Sequence, residues 1–271
     1  MTTNRFAMRV MAGFLCLSSA GVWSARADAP PPQPLTAELD MSYLSAYVWR
    51  GQVYNDKGVV QPSLTVSKNG FSLNAWANYN AAGSYNGDDN RKFSEVDLTA
   101  SYSHSVGPAS LGVGVIQYLF PNQTVTTTVG PTTTSKAAPG TYEGYVTAGL
   151  PNIPLAPTLT VYHDMDQANG YYGTLGISQT FTICTQASAI VSASLGAADS
   201  EDNKFYFGKD TEALNDADIG LAVPITVANN LTVKPGVTYS FFPDSGIADA
   251  AGAIYGHKER VVGSVTVSYT F

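Results

Sequence analysis

The side chains of this chain that could do chemistry are three histidines, two acid-rich stretches, two cysteines and a scatter of single charges. His104 sits between Ser103 and Ser105 beside a Gly-Pro turn. His163 is followed by Asp164, which would orient an imidazole in a catalytic pair. Adjacent residues of a strand point to opposite faces, so that pair does not cooperate in an extended segment. His257 lies in a loop next to Lys258 and Glu259. There is no Gly-x-Ser-x-Gly elbow to carry a nucleophile, and no catalytic residue is assigned. The stretches Asn86-Gly87-Asp88-Asp89-Asn90 and Asp199-Ser200-Glu201-Asp202-Asn203 offer oxygen ligands. Neither has the Asp-x-Asp-x-Asp-Gly spacing with a distal Glu, so both read as solvated loops and no metal or cofactor is expected. Cys184 stands alone beyond the first 27 residues, which excludes an intrachain disulfide there.

The elements that would position these residues follow from alternation. From Val261 to Phe271 one face reads Val261, Gly263, Val265, Val267, Tyr269, Phe271, and the other Arg260, Val262, Ser264, Thr266, Ser268, Thr270. The same period of two runs through 231–241, 95–103 and 216–223, which marks strands with one apolar and one wet face. About twelve such runs occur, near 37–50, 59–67, 71–80, 93–105, 109–120, 141–150, 158–165, 171–183, 188–197, 213–226, 231–242 and 258–271. Ten or fourteen are the neighbouring counts. Each is about the length that crosses a hydrocarbon layer when tilted.

Connections alternate too. Short ones, such as Lys68-Asn69-Gly70 and Val106-Gly107-Pro108, take turns with long polar ones, such as 81–92, 121–140 and 243–257. Asn-Gly is a strong tight-hairpin signal. Short turns on one side and long loops on the other is the layout of bacterial outer-membrane barrels. The reading is therefore a closed antiparallel transmembrane β-barrel over residues 36–271, all-β, with both ends of the sheet in the periplasm.

Residues 1–27 carry Arg5 and Arg9, an apolar run of about 13 residues and Ala25-Arg26-Ala27, the three parts of a cleaved signal peptide. Residues 28–35 form a Pro-rich extended leader. Without residues 1–27 the chain holds 11 basic against 21 acidic residues, a net charge of −10. That balance argues against a nucleic-acid partner.

A charge facing lipid at mid-depth costs about 2–4 kcal/mol for a base, so charges within strands belong inside. This assigns Asp40, Arg50, Glu95, Asp97, Glu143, Asp164, Asp216, Asp218, Lys234 and Arg260 to the lumen, lining a conduit or pairing to plug it. Rings at strand ends, Tyr43, Tyr47, Trp49, Tyr79, Tyr102, Tyr239, Tyr269 and Phe271, are expected at the membrane interfaces. The closing strand with Phe271 carries the aromatic signature that barrel-insertion machinery is thought to read.

The run Tyr43-Leu44-Ser45-Ala46-Tyr47-Val48-Trp49-Arg50-Gly51, then Gln61-Pro62-Ser63-Leu64 and Gly70-Phe71, resembles the opening of the TorF-type porin family over residues 39–80. The resemblance implies an outer-membrane barrel more firmly than any substrate. The functions these observations allow are four. The leading one is passive diffusion of small polar solutes or ions, with the acid excess giving a mild cation preference. The others are a scaffold barrel with a plugged lumen, a surface lipid hydrolase, and a soluble periplasmic ligand-binding barrel.

Overall fold

The computed structural model describes residues 34–83, 90–129 and 132–271. The signal segment, most of the leader and residues 86–89 of the first acid-rich stretch lie outside the described residues.

Its strands are β1 (Thr36–Leu44), β2 (Tyr47–Trp49), β3 (Gln52–Asn55), β4 (Val59–Lys68), β5 (Phe71–Asn80), β6 (Phe93–Val106), β7 (Ala109–Leu119), β8 (Thr124–Val129) and β9 (Thr132–Ala137). They continue with β10 (Thr141–Gly149), β11 (Thr158–Asp164), β12 (Tyr171–Cys184), β13 (Ala187–Ala198), β14 (Ala213–Ala222), β15 (Ile225–Ala228), β16 (Leu231–Phe241) and β17 (Glu259–Thr270). Helix α1 (Ser200–Phe207) precedes β14, and α2 (Ser245–Tyr255) precedes β17.

Twelve strands form one closed antiparallel barrel. β1 pairs with β4 on one side and β17 on the other, from Glu38 opposite Thr270 to Leu44 opposite Ser264. β12 pairs with β13 and completes the ring. β15 is a short extension at the turn between β14 and β16. The hairpins β2–β3 and β8–β9 pair only within themselves. The long connection expected over 121–140 is thus partly the β8–β9 hairpin.

At the short-turn end, Asn69 and Gly70 have φ of 52° and 85°. Positive φ at both central residues is what a two-residue hairpin needs to match strand twist. The N–H of Phe271 donates to the carbonyl of Ala37 at 2.8 Å, so both ends of the sheet lie at this end.

Alternation sorts the faces as expected. Leu73, Leu98, Val113, Val146, Leu175, Ile219, Val237 and Val265 point outward and are exposed, while Ser72, Thr99, Gly112, Thr147, Gly176, Gly220, Thr238 and Thr266 face the lumen. A wide belt of exposed Leu, Val and Ile around a closed sheet needs hydrocarbon, not water, as its surroundings. No helix among the described residues is long and apolar enough to cross a membrane.

The first strand departs from the sequence reading. It was expected to run from 37 to 50. It ends at Leu44, and the chain turns inward at Ser45 and Ala46, where the Ser45 N–H donates to the Gly263 carbonyl and the Ser45 hydroxyl accepts from the Gly263 N–H, both at 2.9 Å. Residues 47–55 then form the β2–β3 hairpin. The turn has Arg50 at φ 45° and Gly51 at φ 77°. A Cβ at Gly51 would lie 2.6 Å from the ring of Phe242, so only glycine fits there.

Val265 and Thr266 are neighbours on β17 with opposite faces. Val265→Lys should lower folding free energy into lipid vesicles by about 2–4 kcal/mol. Thr266→Lys should cost much less, since its ammonium reaches lumen water. Equilibrium urea unfolding of the two variants in vesicles checks the sign of the facing.

Candidate functional site

The lumen has two unlike halves. Toward the short turns its wall is Ser42, Thr65, Ser67, Ser72, Thr99, Ser101, Thr147, Ser192, Ser264 and Thr266, mostly half-buried hydroxyls. Several pair across strands: Ser42 with Thr266 at 2.9 Å, Ser67 with Ser72 at 3.0 Å, and Thr160 with Thr147 at 3.0 Å. Toward the long loops the lumen is packed solid.

The packing comes from three inserted pieces: the β2–β3 hairpin, α1 and α2. Tyr47, Trp49, Tyr54, Tyr206, Phe207, Phe242, Ile247, Ala251 and Tyr255 form one buried cluster with the wall residues Trp76 and Tyr118. Rings meet edge to face: Trp49 with Tyr206 at 5.3 Å, Tyr54 with Tyr255 at 5.4 Å, and Phe207 with Phe242 at 5.6 Å. Such pairs add about 0.5–1.5 kcal/mol each beyond area burial. The Tyr255 hydroxyl donates to the Tyr206 carbonyl at 3.0 Å and ties the two helices together.

Both helices are read from local signals that the loop assignment overlooked. Asp199 caps α1 by accepting from the Asp202 N–H at 2.9 Å, and Gly208 ends it in the left-handed region. Asp244 caps α2 by accepting from the Ile247 N–H at 2.9 Å, and Gly256 closes it. In α2, Ile247, Ala250, Ala251, Ile254 and Tyr255 recur at helical spacing on one face. The stretch 199–203 is therefore not a solvated loop: Asp202 and Asn203 are buried and hold the plug's base.

Arg50, at the hairpin tip, sits at the centre. Its Nη1 and Nη2 donate to Glu143 Oε1 and Oε2 at 2.9 and 2.8 Å, a two-pronged ion pair buried on both sides. Tyr118 adds a third donor to Glu143 at 2.8 Å. The guanidinium lies 4.2 Å from the Trp49 ring centre, 4.9 Å from that of Tyr162 and 4.0 Å from that of Tyr172. Planarity lets Arg pair with a carboxylate and stack on rings at once, which Lys cannot do.

The ten charges assigned to the lumen have distinct settings: Arg50 lies on the inserted hairpin, and Glu95, Asp97, Glu143, Asp164 and Asp216 are buried. Asp164 accepts from Thr141 Oγ1 at 2.8 Å and from the N–H groups of Asp166 and Ala168 at 2.9 and 3.1 Å. Asp216 takes the Tyr172 hydroxyl at 2.9 Å, and a Cβ at Gly196 would strike both groups. Asp218 takes Ser194, Asp40 takes Ser268, and Arg260 donates to the Asp56 carbonyl at 2.8 Å. Lys234 is half-buried on the hydroxyl-lined half. Glu95 accepts from the Tyr47 hydroxyl at 2.9 Å, with Asp97 beside it.

The aromatics divide. Tyr43, Tyr102, Tyr239, Tyr269 and Phe271 are exposed on the outer face, and Tyr79 packs edge-on against Phe93. Tyr47 and Trp49 were expected at the interface and are instead 1% and 4% exposed inside the plug. An apolar ring is satisfied by lipid or by a packed interior, and alternation alone does not distinguish them. The wall tyrosines 118, 162 and 172 escaped the sequence reading because a ring on the wet face of a strand carries no periodic signal.

No group of three or more His, Cys, Asp or Glu among the described residues is arranged to hold a metal ion. His163 stacks on Tyr171 with ring centres 4.3 Å apart.

A bacterial family described as "Bacterial protein of unknown function (Gcw_chp)" matches residues 27–225. The chain belongs to the Gcw_chp family. Residues 39–80, which carry the TorF-type resemblance, fall inside that span, while the match itself bears only the Gcw_chp description. No curated protein matches the chain significantly. Among solved structures, the chain is similar to the KdgM porin at 12% identity and a TM-score of 0.50, covering 86% of this chain and 99% of that one. It is also similar to the NanC porin at 12% identity and a TM-score of 0.48, covering 86% and 98%. At that identity the likeness to KdgM concerns the fold: a Gcw_chp member is built as an outer-membrane barrel is.

Two predictions follow from the plug's polar anchors. Arg50→Met leaves Glu143 buried without its cation and should cost about 3–5 kcal/mol. Adding Glu143→Gln should recover much of that, as read by denaturant unfolding of the four-variant cycle in detergent micelles. The second concerns Asp202, where burial pushes the carboxyl up to about 8, Arg50 pulls it down and Glu143 pushes it further up. A carboxyl raised from its unfolded value near 4 costs stability as pH climbs between the two values. Stability should fall from about pH 4 to about pH 8 and then level. Asp202→Asn should flatten that slope, as measured by melting temperature against pH.

Proposed function

We propose that this chain is a porin-like outer-membrane channel for passive diffusion of small polar solutes or ions, closed at its external mouth by its own hairpin and helices. It is exported through a cleaved signal peptide, with the short turns in the periplasm and the long loops outside. The observation that carries the reading is the hydroxyl-lined half-lumen, which is wet and wide enough to leave its side chains half-exposed. A barrel that served only to fill itself would close this half with apolar side chains, as the external half is closed. The KdgM-like fold supports the same reading. Glu95, Asp97, Glu143, Asp164, Asp216 and Asp218 outnumber Arg50, Lys234 and Arg260 on the lumen side. That imbalance supports a mild cation preference by the field it sets inside a narrow bore.

The packed mouth favours a second reading, a scaffold barrel that presents its loops and never conducts. Bilayer recordings separate the two. The wild-type protein should give rare, small steps. Gly51→Val, which forces the hairpin tip off the Phe242 ring, should raise open probability at least tenfold. Reversal potentials in a salt gradient should show cations favoured. Silence from both proteins at every voltage would leave the scaffold reading in place.

A further inference from the structure

The plug meets the wall at a second polar point besides Arg50, and there the charges do not balance. Glu95 and Asp97 are 0% and 4% exposed and lie on the same inner face of β6. Their carboxyl groups are within hydrogen-bonding reach of each other. Glu95 Oε2 accepts from the hairpin's Tyr47 hydroxyl at 2.9 Å. Glu95 Oε1 and Asp97 Oδ1 have no hydrogen-bond partner among the described residues. No Lys, Arg or His of those residues forms an ion pair with either, and Arg50 is engaged by Glu143. A third unmatched buried oxygen, Gln61 Oε1, belongs to the same wall, two strands along from Glu95. Gln61 Nε2 donates to Asn78 at 3.0 Å, and Asn78 is directly across the β5–β6 ladder from Glu95.

Two buried carboxylates cannot both stay ionised side by side without a counter-charge. A shared proton would satisfy the contact between them. It would leave one negative charge buried and the Gln61 oxygen unmet. A divalent, oxygen-seeking cation answers all three. It balances a charge of −2, and it takes carboxylate and amide oxygens together, as Ca²⁺ does with a flexible geometry that Mg²⁺ resists. From this we propose that Glu95 and Asp97, with Gln61 beside them, form a calcium-type cation site at the seam between the hairpin and the β4–β6 wall. Through the Tyr47 hydroxyl on Glu95, the bound ion holds the plug in the lumen. The site stands whether or not the barrel conducts.

The test uses the full-length barrel in detergent micelles, stripped with EDTA and held at pH 7.5. Adding millimolar CaCl₂ should raise the wild-type melting temperature by about 3–5 °C, the size expected for a ligand well above its dissociation constant. Asp97→Asn and Glu95→Gln should each abolish the shift. A wild-type midpoint indifferent to Ca²⁺ would overturn the proposal, and a midpoint that still moves between pH 6 and pH 8 in Asp202→Asn would assign the pair to a shared proton. An undiminished shift in Asp97→Asn would place the ion in the surface loops and also overturn it. Should those variants fail to fold, Tb³⁺ luminescence excited through tyrosine gives a second readout. Wild type should show a signal that Ca²⁺ displaces, and Tyr47→Phe should lose at least half of it. Absence of a displaceable signal in wild type would sink the site.

Discussion

A chain in hydrocarbon has no water to satisfy its amide groups, so every backbone N–H and C=O at that depth must find a partner within the protein. The pairing of β1 with β17 is the contact that meets this demand, because it removes the last two free edges of the sheet. Everything else is arranged around it. Closure divides the molecule into an outside and an inside, and the two-residue period then decides what each side holds. Val265 goes to lipid and Thr266 to the lumen because their Cβ atoms point opposite ways, whatever their neighbours do.

The same closure creates a difficulty that the protein solves with its own loops. A bore of twelve strands is intermediate between barrels that side chains fill and those that stay open. Toward the short turns the wall side chains facing inward are mostly small Ser, Thr and Gly. They do not reach across. The half toward the long loops is filled by chain from those loops, and the hairpin tip is positioned by a turn that needs positive φ at two successive residues. Arg50 occupies one of those, so the charge that pins the plug is built into the geometry that aims it. Its carboxylate partner, Glu143, is on β10 and comes from a part of the sequence 93 residues away. The ion pair thereby couples the plug to the far wall, and the rings of Trp49, Tyr162 and Tyr172 shield it from water.

What the sequence revealed follows from what alternation can encode. The barrel and most of its strands were legible, and so was the face of Glu95, Asp97, Asp216 and Asp218, which sit at fixed phase with apolar neighbours. The turn at Asn69-Gly70 was legible because two residues alone dictate it. The fate of Tyr47 and Trp49 was not. They continue the phase of Tyr43, and nothing within three residues says that the chain leaves the sheet at Ser45. That decision is made by the apolar faces of α1 and α2, which offer the rings a dry partner from more than 150 residues away. The helices themselves had local signatures, capping Asp and closing Gly, which polar composition around 199–203 concealed. The pairing of Arg50 with Glu143 is a tertiary fact with no local trace.

The plug's energetics constrain any route through it. Tyr47, Trp49, Tyr54, Tyr206, Phe207 and Tyr255 are all buried. At roughly 1.5–3 kcal/mol for each large side chain, wetting all six costs about 10 kcal/mol or more. That corresponds to about one molecule in 10⁷ with the whole plug expelled. Wholesale ejection is therefore too rare to serve as a gate. A route that leaves the rings in place must run where the plug meets the wall through hydrogen bonds, which water replaces at little cost. Such a seam runs along β4–β6, where the plug's Asn55 donates to Asn80 at 2.8 Å and its Tyr47 to Glu95 at 2.9 Å, against a wall that is itself polar, with Asn78 donating to Ser94 at 2.7 Å and Gln61 to Asn78 at 3.0 Å. Glu95 and Asp97 lie along it. The energetic argument and the charge imbalance thus converge on the same wall: the side of the plug with the least costly contacts is the one that the proposed cation would hold shut.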